Sequence, residues 1–203
     1  VQSVLRPNLD FRGYAGTLAS GIVRVGDEVV ALPSGRQSRI KSIVTFDGEL
    51  DVAHTPMSVT LTLTDEIDVS RGDVLSTVNN TPRLETRFEA MLVWMATEPM
   101  HRGKVYALKL ATSTTAATIA DVRYRTNINS MRQEDVDRLE LNEIGRVEIE
   151  TTQPLAVDAY PKNRSMGAFI LIDRMSNATV AAGMIVDRNP ADKTLARRRS
   201  AAD

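Results

Sequence analysis

The residues whose types and spacing could do chemistry gather first near the start of the chain. Asp10-Phe11-Arg12-Gly13 fits the D-x-x-G pattern of a GTPase switch loop, and Gly16 and Gly21 stand at the spacing of the two glycines of a phosphate loop. A working phosphate loop places a lysine and a hydroxyl directly after its second glycine, so that ammonium, hydroxyl and backbone N–H groups converge on the phosphates. Here Gly21 is followed by Ile22-Val23, and no N-K-x-D string for reading guanine occurs. The D-x-x-G match reads as coincidence, and no nucleotide or cofactor site is expected in this chain. Ser70-Arg71-Gly72-Asp73 contains the Arg-Gly-Asp adhesion tripeptide. Between Ile67-Asp68-Val69 and Val74-Leu75 it reads as a tight turn in which Gly72 takes up an unusual backbone angle.

Acid–base and metal chemistry find little purchase. Asp65 and Glu66 are adjacent, so on a strand they point to opposite faces. Glu134, Asp135 and Asp137 read as the acidic start of a short helix, complementing its dipole. His54 and His101 are the only histidines and lie far apart, and cysteine is absent. That excludes disulfides, thiolate catalysis and thiolate metal sites. Serines and threonines are plentiful, but no cue ties one to a histidine and an aspartate. No catalytic residue and no metal ligand is therefore expected.

Two denser polar stretches remain. Leu141-Asn142-Glu143-Ile144-Gly145 sets an amide and an acid before a glycine, and residues 158–167 form a long polar connection into an apolar strand. Long polar loops on a rigid scaffold are where partner contacts concentrate, although the same stretch serves equally as a structural connection. Asn142, Glu143, Asn163 and Arg164 are the candidates for contact with a partner or a neighbouring domain.

The elements that must position these residues are strands. The chain has 203 residues, 42% hydrophobic and 25% charged, with 25 basic against 26 acidic side chains and a net charge of −1. That balance suits a globular protein and provides no global field toward nucleic acid or membrane. Short alternating runs rich in Val, Ile and Thr, separated by turn dipeptides, are the pattern of an all-β sandwich or barrel. Strands are expected over residues 16–23, 28–32, 38–45, 57–63 and 69–78, with Asp47-Gly48 as a hairpin turn. Beyond the polar 77–82 stretch they lengthen: 83–97, 103–112, 114–128, 138–151, and 168–187 broken at Ser176-Asn177. A helical turn is expected at 133–139. The expected organisation is one β-barrel over 1–80, a second over 81–188, and a tail or linker over 189–203. The longest apolar run, residues 168–172, is far shorter than a membrane span. No signal peptide opens the chain, and its start at Val1 reads as a piece cut from something longer.

At this level a family resemblance enters. The strings RGYAGTLASGIVRVGDEVVALPSGRQSRIKSI and DVSRGDVLS resemble the second domain of translation-factor-type GTPases such as elongation factor Tu. The strings VQSVLRPNLDFRGYAGTLASG, YRTNINSM and LNEIGRVEIETTQPLAVDAYPKNRSMGAFILIDRMSNATVAAGMI resemble the GTPase subunit of bacterial sulfate adenylyltransferase. The resemblance implies two tandem barrels like domains 2 and 3 of elongation factor Tu, preceded in the whole subunit by a GTPase domain that holds GTP and Mg2+. It implies a smaller catalytic partner subunit making adenosine 5′-phosphosulfate and pyrophosphate from ATP and sulfate. Cytoplasmic sulfate assimilation and cysteine biosynthesis are the implied setting. In some members an adenylylsulfate kinase domain follows, for which the tail would be a linker. The phosphate loop and switches belong to the preceding domain, so no catalytic residue transfers onto this chain, which alone is expected to be inactive. The alternative is a pair of tRNA-binding barrels from a translation elongation factor, against which the balanced charge and 4% aromatic content count. A stand-alone small-molecule barrel has no supporting motif.

Overall fold

Alternation of buried and exposed side chains shapes the longer strands of the chain, seen in a computed structural model that describes residues 1–8 and 11–186. In the first half the strands are β1 (Ser3–Asn8), β2 (Phe11–Thr17), β3 (Ile22–Arg24), β4 (Glu28–Leu32), β5 (Arg36–Thr45), β6 (Gly48–Leu50), β7 (Val52–His54), β8 (Ser58–Leu63) and β9 (Val74–Thr77). They form an antiparallel sheet in the order β1-β2-β8-β5-β4-β9, with β6 added to β5, plus a β3–β7 ribbon. On β5 the side chains of Ser38, Ile40 and Ile43 point inward while Arg39 and Lys41 face out. The sheet curls around Val29, Ile40, Ile43, Val59 and Leu61, with Tyr14, Ala31, Ile67 and Val69 packed beside them. Tyr14 donates its hydroxyl to the Ile67 carbonyl at 2.9 Å, which satisfies the polar end of a buried ring.

The second half comprises β10 (Arg83–Trp94), β11 (Val105–Leu110), β12 (Ser113–Thr126), β13 (Gln133–Glu134), β14 (Ile144–Val157), the single-turn helix α1 (Arg164–Gly167), β15 (Ala168–Asp173) and β16 (Thr179–Ile185). The order β11-β15-β16-β10-β14-β12 returns on itself because β12 also pairs with β11, closing a six-stranded barrel. Closure removes the free edges that would otherwise invite pairing with other chains. Phe88, Leu92, Trp94, Tyr106, Leu108, Ile119, Ile149 and Leu171 fill it. Gly183 lies opposite Phe169, and a Cβ there would sit 2.2 Å from the ring; the missing side chain lets the ring lie over the strand and meet Phe88 edge-on. The all-β, two-barrel expectation holds.

Several boundaries differ from expectation. The strand read over 16–23 ends at Thr17 and restarts at Ile22, because Gly21 turns the chain at φ +75°. The strand read from residue 69 begins at Val74, the preceding four residues forming a turn. The helical turn expected at 133–139 is absent: Gln133 and Glu134 pair instead with Thr126 and Arg125 on β12. Glu134 serves a cross-strand ion pair with Arg125 rather than a helix dipole. The strand read over 138–151 starts at Ile144 and runs to Val157, and β1 was not resolved from the sequence as a separate element. Asp10 and the tail over 189–203 lie outside the described residues. Among the described residues no helix is long and apolar enough to cross a membrane.

Candidate functional site

The four candidate contact residues fall into two groups. Asn142 takes a left-handed φ of +65° in the turn before β14, where its N–H donates to the Trp94 carbonyl at 2.8 Å. One Glu143 carboxylate oxygen accepts the Glu140 N–H at 2.9 Å and the other pairs with the Arg125 guanidinium. Arg125 also donates through Nε to Glu134 at 3.1 Å, and Glu134 accepts from Asn127 Nδ2 at 2.8 Å. These bonds raise the Arg125 pKa, with Glu134 as the larger cause and Glu143 the next, and lower that of Glu134. The group clamps β13 and the 140–143 turn onto β12.

Asn163 is buried and caps α1: its Oδ1 accepts the Met166 N–H at 3.3 Å and its Nδ2 donates to Asp158 at 3.5 Å. Arg164 beside it is exposed, its guanidinium 5.9 Å from the Tyr160 ring centroid. Asp158, Lys162, Asn163, Ser165 and Met166 form one wall of a cleft of about 800 Å³ between the two barrels, facing Thr17–Val23 and Val74–Thr77 of the first. Asn142 and Glu143 are not among its lining residues.

The Arg-Gly-Asp stretch is the hinge side of this cleft. Ser70 and Asp73 close a turn through Asp73 N–H to Ser70 O at 3.1 Å and Ser70 N–H to the Asp73 carboxylate at 2.8 Å, with Gly72 at φ +101°. Ser113 of the second barrel donates its hydroxyl to the Gly72 carbonyl at 2.6 Å, and Val74 packs against the second core. A turn was legible in the sequence; its contact with Ser113 was not, because 41 residues separate the partners.

The largest polar feature missed by sequence reading is an ion-pair lattice on the outside of β10, β12 and β14. Arg123 meets Glu89 at 3.1 Å, Asp121 at 2.8 Å and Glu148 at 2.6 Å; Arg146 meets Glu89 at 2.6 Å and Arg87 meets Glu148 at 3.0 Å. Its signal was present as charges two apart on each strand: Glu85-x-Arg87-x-Glu89, Asp121-x-Arg123-x-Arg125 and Arg146-x-Glu148-x-Glu150. Carboxylates neutralise these guanidinium groups within the chain, which leaves them poor phosphate-backbone contacts and weighs against the tRNA reading. On the β15–β16 turn, Asp173 accepts from Lys104 at 2.9 Å and from the Met175 and Ser176 N–H groups at 2.9 Å each. The lysine first, then these N–H groups, hold its carboxyl well below the usual range.

Among the described residues, none of the sequence-suggested acid–base or nucleotide groups assembles into a reactive constellation. Asp65 accepts the Ser38 hydroxyl at 2.8 Å, His54 Nδ1 lies 2.9 Å from the Thr55 carbonyl, and His101 lies beside Glu98. Gly13 sits within β2, where a Cβ would meet Thr60 Cγ2 at 2.5 Å, so its role is close packing. Among the described residues no group of three or more His, Asp or Glu side chains could hold a metal ion.

Residues 87–186 match the family model described as GTP-eEF1A C-terminal domain-like. The second barrel is similar to that family. Along its length the chain is 55% identical over 188 residues to sulfate adenylyltransferase subunit 1 of Bacteroides fragilis, covering 93% of this chain and 40% of that protein. It is 52% identical over 188 residues to the bifunctional enzyme CysN/CysC of Rhodopirellula baltica, covering 93% of this chain and 29% of that one. The crystal structure of Sup35 complexed with GDP superposes with a TM-score of 0.82 at 19% identity, covering 92% of this chain and 46% of that chain, a likeness of fold. The chain thus spans about two fifths of the length of the subunit 1 relatives it matches. The resemblance first carried by residues 141–185 holds along nearly all of it.

Proposed function

We propose that this chain is the two-barrel body of a sulfate adenylyltransferase GTPase subunit, supporting GTP-driven synthesis of adenosine 5′-phosphosulfate from ATP and sulfate in the cytoplasm. The observation that carries this reading is identity of 50–55% to subunit 1 proteins of several bacteria over more than nine tenths of the chain. On this reading GTP and Mg2+ bind to a separate GTPase domain of the same polypeptide, and a smaller catalytic subunit is the partner. The barrels contribute no chemistry of their own. They form a stiff body against which the GTPase domain reorients, and surfaces through which its state reaches the catalytic subunit. The closed barrel and the ion-pair lattice suit that role, since both resist deformation.

The loop entering α1 supplies the contact surface in this proposal, with Lys162 on the cleft wall and Arg164 beside it. Lys162 and Arg164 are exposed, and neither belongs to a core. The test uses the full-length protein co-expressed with its candidate catalytic subunit. Wild type is expected to co-purify with that subunit and to show GTP-stimulated adenosine 5′-phosphosulfate formation. The Lys162→Glu/Arg164→Glu double variant is expected to weaken the association at least roughly tenfold, about 1.4 kcal/mol, with the monomer's melting temperature unchanged. Failure of the wild type to associate refutes the role. Unaltered association of the double variant refutes only the assigned surface.

A further inference from the structure

β1 and β2 pair in register from Ser3 opposite Ala15 to Leu5 opposite Gly13, and again where Asn8 faces Phe11. Between those points β1 carries two residues, Arg6 and Pro7, against the single Arg12 of β2. Two residues opposing one make a β-bulge, which tolerates a proline and re-aims the side chains beside it. Here it brings Arg6 and Arg12 to one small pocket of about 280 Å³, lined with them by Asn8, Phe11 and Glu66. Like charges across a strand pair repel, so two guanidinium groups gathered this way call for an anion beside them.

The carboxylates of the chain answer that need poorly. Arg12 meets one of them, that of Asp68, at 3.7 Å, and the Asp68 side chain is 94% exposed to water. Arg12 Nε is shut off from solvent with no acceptor in reach. The Arg12 guanidinium is held instead by the Tyr14 ring, whose centroid lies 5.5 Å from it. Glu66 shares the pocket, yet among the described residues neither it nor Arg6 enters an ion pair. Burial raises the Tyr14 pKa, and Arg12 and Arg6 both oppose that rise, so both positive charges act at this ring. The second barrel treats its arginines differently: Arg123 engages three carboxylates at 2.6–3.1 Å, and Arg125 engages two. A guanidinium fixed by an aromatic face, with N–H donors left over, is set to receive an oxyanion through its fork.

We propose that Arg6 and Arg12 form a binding site on the first barrel for a small tetrahedral oxyanion, a sulfate or phosphate group. The two guanidinium groups supply the charge, the bulge sets their spacing, and Phe11 closes one wall. At about 280 Å³ the pocket lies below the usual range for larger organic ligands, which suits a group of this size. Glu66 adds selectivity. Beside two arginines and one carboxylate a dianion keeps a stronger net attraction than chloride, and only an oxyanion matches the fork. The site lies on the first barrel, whereas the surface assigned to the partner subunit lies at α1 of the second.

Arginine modification by phenylglyoxal, mapped residue by residue by mass spectrometry, tests the site in the full-length protein. Reaction rates at Arg6, Arg12 and the exposed Arg36 are compared in chloride, sulfate and phosphate at equal ionic strength. At least one of the two oxyanions is expected to slow Arg6 and Arg12 together by roughly fivefold, the protection given at about four times its Kd. The slowing saturates with one midpoint for both residues and leaves Arg36 unchanged, and the anion that produces it identifies the ligand. In the Arg6→Gln variant the protection of Arg12 is expected to disappear, because the two groups hold one anion between them. No saturable protection, equal slowing at Arg36, protection of Arg12 that survives Arg6→Gln, or arginines already unreactive in chloride would each overturn the proposal.

Discussion

Asp173 shows how one carboxylate anchors a hairpin. It collects the Lys104 ammonium, two turn N–H groups and the Ser176 hydroxyl, and the charged form alone can accept all of them. Its pKa is therefore depressed on folding, so its stabilising effect is complete above the ordinary carboxyl range and disappears as pH falls through about 4 and below. Denaturant midpoints of wild type and Asp173→Asn should differ clearly at neutral pH and draw together progressively as pH falls below about 4. A gap that stays constant across that range contradicts the account. Asn163 and Arg164, adjacent in sequence, do unlike things for the same kind of reason: one is buried with every polar atom engaged, the other is exposed and engages only a ring face.

At the scale of elements, that contrast becomes a prediction about α1. A helix of four residues has no internal ladder to sustain it, so its Asn163 cap supplies much of its order. Asn163→Ala is expected to cost about 0.5–2 kcal/mol, whereas Arg164→Ala stays within roughly 0.5 kcal/mol of wild type. Urea unfolding of the two variants measures this, and an equal or reversed ordering would remove the capping explanation. The same scale explains β13. Gln133 and Glu134 carry no strand pattern of their own, and they pair because Arg125 lies across from them with Glu143 on its other side. Closure of the second barrel is likewise a property of elements: β12 is long enough to pair with β11, β13 and β14 along its 14 residues.

Across the whole molecule, the joint between the barrels rests on the Gly72–Ser113 bond and on Val74 reaching into the second core. Ser113→Ala removes a half-buried donor and is expected to cost about 0.5–1.5 kcal/mol, a fall in Tm of roughly 1–6 °C for a chain of this size. Calorimetry should show the transition broadening as the barrels uncouple. An unchanged, equally sharp transition would mean that the joint is held elsewhere. A body that transmits orientation needs such a joint to be stiff, which gives the Arg-Gly-Asp turn a role quite different from adhesion.

Much of this was legible in the residues themselves. Strand β8 and the Asp47-Gly48 hairpin follow from alternation and turn chemistry, because a strand's inward set and a turn's backbone angles depend on neighbours one to three residues away. The all-β class and the lack of a phosphate loop were local facts of the same kind. What only the tertiary structure decided depends on partners far apart in the chain. The sequence displays Arg123, Arg125, Glu134 and Glu148 but not who meets whom; it displays Gly72 but not Ser113 against it. The closure of the second barrel, where β11 pairs with β15 as well as with β12, is the clearest case. Which strand meets which is a relation between two distant segments, and no pattern within either one can reveal it.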